Sequence, residues 1–302
     1  MGLSVKNFKQ IFLAILILLI LIPIILAIHF GQRTAQLERE LEGRSETEHH
    51  TAGQGSTEPE IEYLTPIADP VEYQTLYPDL YAAEQPPRDR NRVANVVYLT
   101  IDTSLGSNTG RILDILAEYG VQATFFVSGS GEGSEAAVLR RIVESGHSVG
   151  LGSYSDSYQE IYHSVPDYLE DFKKISDMVY ENTGLRPGIF RFPGGSINSY
   201  NSGIYRELIS EMLRRNYVFF DWNVSGEDTR LTVQSRDQIR DTVLAGLEGK
   251  DRGIIYLQDG VGKEAVVSAL PGIIQEIQGR GYSFQTLAAD VLPVVFSYQS
   301  AS

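Results

Sequence analysis

The chain has 302 residues, of which 42% are hydrophobic and 21% are charged, as is ordinary for a globular protein. The net charge of −14 argues against nucleic-acid binding, because a phosphate backbone requires clustered Lys and Arg. There is no cysteine, which excludes disulfides, thiolate metal sites and lipid attachment through cysteine. The length allows one large domain or two small ones.

An uncharged apolar run, Ile11–Ile28, is long enough to cross a bilayer as a helix. Lys6 and Lys9 precede it and favour a cytoplasmic N-terminus. A cleaved signal peptide is the alternative, but the run is longer than usual and no small-x-small cleavage site follows it. The sequence therefore predicts a cytoplasmic tip and single-pass anchor over 1–30, which would place the rest of the chain outside the cell membrane.

Residues 31–90 form an acidic segment with five basic and thirteen acidic residues, a net of −8. The stretch 51–60 is polar and contains Gly53, Gly55 and Pro59, which is typical of a flexible stalk. Aromatic residues return over 63–81, and we expect this part to lie over the domain that follows.

From about residue 91 the pattern alternates strand and helix, which predicts parallel strands with right-handed crossovers. Seven such units over about 210 residues favour a barrel slightly smaller than the eightfold one; an open doubly wound sheet is the alternative. The predicted strands are 96–101, 121–127, 147–151, 188–192, 217–222, 253–258 and 282–286, and the predicted helices are 109–119, 134–145, 165–182, 203–215, 235–248 and 263–279.

Two strand ends suggest different functions. The glycine-rich segment 128–134 has the placement of a dinucleotide-binding turn, but its glycines alternate and Glu132 would repel phosphate, so we interpret it as a plain loop. Asp102 ends the first buried strand, where a barrel places catalytic carboxylates. On position alone, a cap for the next helix explains Asp102 equally well.

Four later segments resemble motifs of the NodB-homology polysaccharide deacetylases. They occur in family order: GHSVGLGSYSD at 146–156, RFPGG at 191–195, DWNVSGED at 221–228 and IYLQD at 255–259. The resemblance covers about 90–290. It implies that 91–302 forms a deformed (β/α)7 barrel of the polysaccharide deacetylase type, a family that removes N- or O-acetyl groups from chitin-like or peptidoglycan glycans.

The family mechanism is metal-assisted hydrolysis. A divalent cation such as zinc, bound by one Asp and two His, polarises the acetyl carbonyl and activates water. A second Asp, paired with an Arg, is the general base, and a His is the acid. The resemblance places the base on Asp102 and the acid on Gln258. It places the three metal ligands on Thr103, Gly152 and Asp156.

These replacements predict that the metal and its chemistry are lost. Gly has no ligand atom, a Thr hydroxyl is a poor zinc ligand, and Gln cannot transfer a proton near neutral pH. Beyond residue 90 the only histidines are His147, which fits a scaffold position, and His163. We interpret the retained catalytic positions as remnants that satisfy each other's charge: Asp102, Arg191, Asp228 and Asp259.

A second set of motif residues is expected to line a glycan-binding groove: Tyr154, Phe192, Pro193, Trp222 and Leu257. Stacking on aromatic rings predicts modest affinity with weak salt dependence.

The main hypothesis is a membrane-anchored pseudoenzyme that binds envelope glycan or an envelope protein. The alternative is a working deacetylase with an altered site around Asp102, Asp156, Arg191 and Gln258. A third hypothesis is a purely structural domain with nothing bound.

Overall fold

The computed structural model describes residues 71–227 and 234–297, all within one compact unit, Ala68–Ser302. The predicted anchor at 1–30, most of the predicted stalk at 31–90 and Asp228 lie outside the described residues. Within the described ranges, no helix is long and apolar enough to cross a membrane.

The described strands form one parallel sheet, in the order β5-β4-β3-β2-β1-β7-β6, with β8 paired to the start of β1. This α/β half-barrel agrees with the predicted (β/α)7 architecture. Each predicted strand is present, and the structure adds the two-residue β6, too short to show a sequence pattern. The strands are β1 (Val96–Thr103), β2 (Thr124–Val127), β3 (Ser148–Leu151), β4 (Ile189–Phe190), β5 (Val218–Phe219), β6 (Val224–Ser225), β7 (Arg252–Gln258) and β8 (Ser283–Gln285).

The helices pack apolar faces on the sheet and confirm the predicted positions, with the single-turn α3 added. The fourth helix shows why the boundaries were predictable. The Ser164 hydroxyl accepts from the Asp167 N–H at its start, and Gly184 ends it at φ 74°. The helices are α1 (Ser107–Glu118), α2 (Glu135–Glu144), α3 (Tyr158–Ile161), α4 (Val165–Thr183), α5 (Tyr205–Arg214), α6 (Arg236–Leu247) and α7 (Glu264–Gly279).

The glycine-rich loop after β2 is a structural loop, as predicted. The Gly131 N–H, which a phosphate would need, instead donates to the Glu135 carboxylate at 2.8 Å. His147 is also structural. Its Nδ1 accepts from the Ala123 N–H at 3.1 Å, its ring packs against Phe125, and burial lowers its pKa.

The C-terminal segment is hydrogen-bonded to the chain just after β5. The Asp221 N–H donates to the Val294 carbonyl at 2.9 Å, and the Phe296 N–H donates to the Asp221 carboxylate at 2.6 Å. Asp221 also accepts from the N–H and the hydroxyl of Ser196. This buried carboxylate therefore ties the loop after β4 to the C-terminal segment.

A lead-in segment (residues 72–82) packs on α5, as expected for the described part of 63–81. Leu80 and Ala82 are buried in the main core. Arg215, fully buried at the end of α5, donates to the carbonyls of Leu76, Tyr77 and Leu80 at 2.7 to 3.1 Å. The segment is thus held by backbone carbonyls that converge on one side chain.

Candidate functional site

The carboxyl ends of β1, β3 and β7 meet around a cavity of about 340 Å³. This edge of a parallel sheet is where α/β proteins bind ligands. The cavity brings together most of the positions predicted from the motifs. Its lining includes Asp102, Thr103, Gly152, Asp156, Arg191, Pro193, Gln258 and Asp259.

The expected pair of Asp102 and Arg191 is present. Arg191 Nη1 donates to Asp102 Oδ1 at 2.7 Å, and Arg191 Nε donates to the Phe220 carbonyl at 2.9 Å. The guanidinium lies 4.2 Å from the centre of the Phe126 ring. Arg191 is 1% exposed, and its Nη2 has no hydrogen-bond partner among the described residues.

Asp102 keeps one oxygen available to the cavity. Its side chain is 22% exposed, and Oδ2 accepts no hydrogen bond from any residue in the described ranges. Burial raises the pKa of Asp102 above its ordinary value, and Arg191 opposes this shift. A carboxylate with a raised pKa is a stronger base than an ordinary aspartate, so the chemical property required of a general base is retained.

Thr103 does not point a free ligand atom into the cavity. Its hydroxyl lies 2.9 Å from the Thr109 hydroxyl and donates to Asp259 Oδ2 at 3.1 Å, and Thr109 donates to the same oxygen at 2.6 Å. Burial raises the pKa of Asp259, which the hydroxyls of Thr109 and Thr103 and the backbone N–H of Ser104 oppose. The position of the family's metal-binding Asp is therefore part of a hydroxyl–carboxylate cluster, in which the Thr103 hydroxyl is already hydrogen-bonded.

The Gly152 position has no space for a side chain. A Cβ atom there would lie 2.5 Å from Ser128 Oγ and 2.8 Å from the Val127 carbonyl oxygen. The second contact is with backbone, so a histidine at this position requires the strand ends to move.

The loop after Gly152 is fixed in place by a buried carboxylate that the motif analysis missed. Asp171 of α4 accepts from the N–H groups of Tyr154 and Ser155 at 2.9 and 2.8 Å. It holds the chain immediately before the exposed Asp156, the position of the family's second histidine ligand.

The residues present do not fit the family's metal. Among the described residues, no three His, Cys, Asp or Glu side chains are grouped so that they could bind a metal ion. Neither histidine of the domain lines the cavity: His147 holds the backbone of Ala123, and His163 is exposed and pairs with Asp167 at 2.8 Å. A hard cation would find separated carboxylates without imidazole.

Gln258 lies at the acid position, paired in register with Asp102 across β1 and β7. It lines the cavity and is partly exposed, so its amide is available to a ligand as donor and acceptor. A primary amide can hydrogen-bond to a leaving group but cannot protonate it.

The predicted aromatic groove is not formed by the predicted residues. Phe192 and Leu257 are each 1% exposed and belong to the main core, where Phe192 contacts Tyr168, Phe190 and Phe219. The aromatic residues in and beside these short strands pack against each other in the core. The position of Phe192 in a motif does not reveal that its ring is buried.

Of the other predicted binding residues, Pro193 lines the cavity, whereas Trp222 and Tyr154 do not. Trp222 is half-buried and stacks on Tyr256 at 4.2 Å, outside the cavity wall. Tyr154 packs against the core and does not line the cavity.

Sequence reasoning missed several residues of the cavity wall, among them Tyr158 of α3 and Lys263. Lys263 Nζ lies 3.1 Å from Glu227 Oε1. A charged residue shortly after a strand end was the available signal for Lys263, whereas Tyr158 gave none because its helix is a single turn.

Comparison with known proteins identifies the family of this chain. The family profile described as polysaccharide deacetylase matches residues 89–212. The catalytic domain of a peptidoglycan N-acetylglucosamine deacetylase from Eubacterium rectale superposes with a TM-score of 0.66 at 30% identity, over 71% of this chain and 98% of that one. The chain belongs to the polysaccharide deacetylase family.

Other similar proteins include both a deacetylase and a pseudoenzyme. A peptidoglycan-N-acetylglucosamine deacetylase from Bacillus cereus is 26% identical over 217 residues, 68% of this chain and 77% of that protein. A CE4 family pseudoenzyme from Bacillus anthracis shares the fold, with a TM-score of 0.56 at 21% identity over 68% of this chain and 69% of that one. The polysaccharide deacetylase fold thus accommodates both kinds of protein.

Proposed function

We propose that this chain is a membrane-anchored, extracytoplasmic deacetylase-family protein that binds cell-envelope glycan without deacetylating it. The observation that carries the proposal is the open cavity around Asp102, which lacks the donors for a metal and a group able to act as the acid. Asp102 lines this cavity, and its Oδ2 accepts no hydrogen bond from the described residues, so it can accept one from a ligand.

The glycan class follows from the relatives. The matched proteins from Eubacterium rectale and Bacillus cereus are both described as peptidoglycan N-acetylglucosamine deacetylases. A peptidoglycan strand is therefore the ligand that we propose here, and an envelope protein is the other candidate partner.

The proposed location rests on the sequence. Ile11–Ile28 would span the membrane, Lys6 and Lys9 would keep the N-terminus inside, and the acidic stalk would extend by self-repulsion. Protease added to intact protoplasts should digest the domain and leave a small membrane-embedded fragment; full protection would contradict this location.

One observation favours the alternative of an active deacetylase with an altered site. Burial raises the pKa of Asp102, and its free oxygen faces the cavity, which suits a general base. This alternative lacks an acid and a Lewis acid among the residues that line the described cavity.

Acetate release separates the two functions. The full chain, purified without nickel affinity, is incubated with acetylated chitooligosaccharides and with peptidoglycan, with and without added Zn²⁺. We expect no acetate, no stoichiometric transition metal by elemental analysis, and no change in melting temperature on adding chelator, since no folded-state ligand would be removed.

The variants Asp102→Asn and Asp89→Asn provide the control. Asp89 is exposed and lies outside the cavity, so it reports on charge removal alone. Acetate released by wild type and by Asp89→Asn, but not by Asp102→Asn, would establish the active alternative.

A further inference from the structure

The ionisable groups at the cavity leave an excess of negative charge. Asp102, Asp156 and Asp259 line it together with Arg191 and Lys263. Arg191 is paired with Asp102, and Lys263 is paired with Glu227 rather than with a lining carboxylate. Asp156 and Asp259 therefore have no cationic partner within the described part of the chain.

The deepest of these carboxylates is incompletely satisfied. Asp259 is 4% exposed, and both hydroxyl donors, from Thr103 and Thr109, reach Oδ2. Asp259 Oδ1 has no hydrogen-bond partner among the described residues, although the residue lines the cavity. A buried acceptor without a donor is destabilising, so a bound group that supplies N–H donors beside it would be stabilised.

The negative potentials converge on the same space. Tyr158 forms part of the cavity wall, and its pKa is raised by burial and then by Asp102, Asp156 and Glu227. Asp102 at the end of β1 and Asp156 in the loop after β3 thus line the same cavity as Tyr158. The motif resemblance implies that, in active members of the family, a divalent cation neutralises the carboxylates of this cavity. This chain has the carboxylates but not the family's metal ligands.

We propose that the cavity binds the primary ammonium of a de-N-acetylated amino sugar, a glucosamine unit of an envelope glycan, through Asp102 Oδ2 and the Asp156 carboxylate. This inference rests on the proposed function, glycan binding, and adds which form of the glycan is recognised. An ammonium carries three donors and a positive charge, whereas an acetamido group is neutral. The cavity of about 340 Å³ is at the small end of ligand sites and suits one sugar ring.

The same charges reject other ligands. A carboxylate or phosphate on the glycan would meet Asp156 and Asp259, the two lining carboxylates without a cationic partner among the described residues, and like charges disfavour such binding. The geometry therefore predicts recognition of deacetylated regions of a glycan. Ion pairing in place of aromatic stacking replaces the weak salt dependence expected from the sequence with a strong one, because salt screens ion pairs at a partly exposed site.

The test compares a glucosamine tetramer with the N-acetylglucosamine tetramer, titrated by calorimetry against the full chain in detergent, slightly below neutral pH. We expect the glucosamine tetramer to bind about tenfold more tightly, with the advantage falling as salt is raised. Asp156→Asn should remove most of this preference, and the exposed, chemically matched Asp89→Asn should leave it unchanged. A circular-dichroism melt of each variant verifies folding.

The outcomes of these titrations separate the ammonium inference from the proposed glycan-binding function. Equal or tighter binding of the acetylated tetramer overturns the ammonium inference while the glycan-binding function stands. Binding of neither tetramer, or release of acetate from the acetylated one, overturns the proposed function itself. Equal affinity for a lysine-containing peptide that competes with the tetramer shows a general ammonium site and contradicts recognition of the sugar.

Discussion

Two buried arginines of this molecule have opposite surroundings. Arg215 is fully buried, and each of its three nitrogens donates: Nε to Glu211, and the other two to carbonyls of the lead-in segment. Arg191 is buried to the same degree, but Nη2 has no partner among the described residues. Its carboxylate partner, Asp102, keeps an oxygen open to the cavity.

The pKa values of the two carboxylate partners, Glu211 and Asp102, shift in opposite directions. Burial alone would raise the pKa of Glu211, but hydrogen bonds from Arg214 and Arg215 outweigh it and the pKa is lowered. The pKa of Asp102 is raised, because burial outweighs the single bond from Arg191. The Arg215 network, in which every guanidinium nitrogen donates a hydrogen bond, stabilises the fold. The Arg191 network has unpaired atoms that can interact with a ligand.

The largest expected effect comes from breaking the Arg215 network. Arg215→Ala would remove a buried cation that donates to Glu211 and to three backbone carbonyls, and we expect a loss of about 3–5 kcal/mol in the free energy of unfolding, measured in urea. Arg191→Ala should cost less, because Asp102 is partly exposed and can be hydrated or protonated.

The neighbouring Arg214 provides the control for this comparison. It donates to the same Glu211 carboxylate but is 36% exposed. Arg214→Ala should cost about 1 kcal/mol. If Arg215→Ala cost no more than this, or less than Arg191→Ala, the two networks would not differ as the geometry indicates.

A pH series sharpens the comparison at Glu211. Its folded-state pKa is lower than its ordinary value, so its stabilising contribution is complete above the ordinary glutamate pKa. That contribution is lost as the pH falls through the lowered value. The free-energy difference between wild type and Glu211→Gln should therefore be constant near neutrality and shrink at acidic pH; a difference that persists at low pH would contradict this sign.

Asp259 should show the smallest effect, with the opposite sign. Burial raises its pKa, so its contribution to stability is present below the ordinary aspartate pKa and is lost as the pH rises through the raised value. Asp259→Asn, which cannot ionise, should raise the unfolding free energy at neutral pH by about 1 kcal/mol. The gain should disappear in acid and be absent in Asp89→Asn; destabilisation at neutral pH would show that the ionised form is needed by the fold.

The sequence by itself determined the succession of strands and helices. Alternating apolar runs with helical segments were long enough to predict β1, β7 and α4 closely, and capping residues such as Ser164 and Gly184 marked boundaries. The motifs also identified Asp102 and Arg191, whose pairing across the sheet is present. That Gly152 offers no ligand atom follows from the sequence alone, because glycine has no side chain.

Only the tertiary structure decided which side chains face the cavity. Phe192 was expected in a groove but is part of the core, since a residue after a two-residue strand has no extended alternation to fix its direction. Tyr158 and Lys263 reach the cavity from segments distant in sequence from Asp102. The unsatisfied atoms of Arg191 and Asp259 likewise appear only in the fold, because hydrogen-bond satisfaction depends on every neighbour at once.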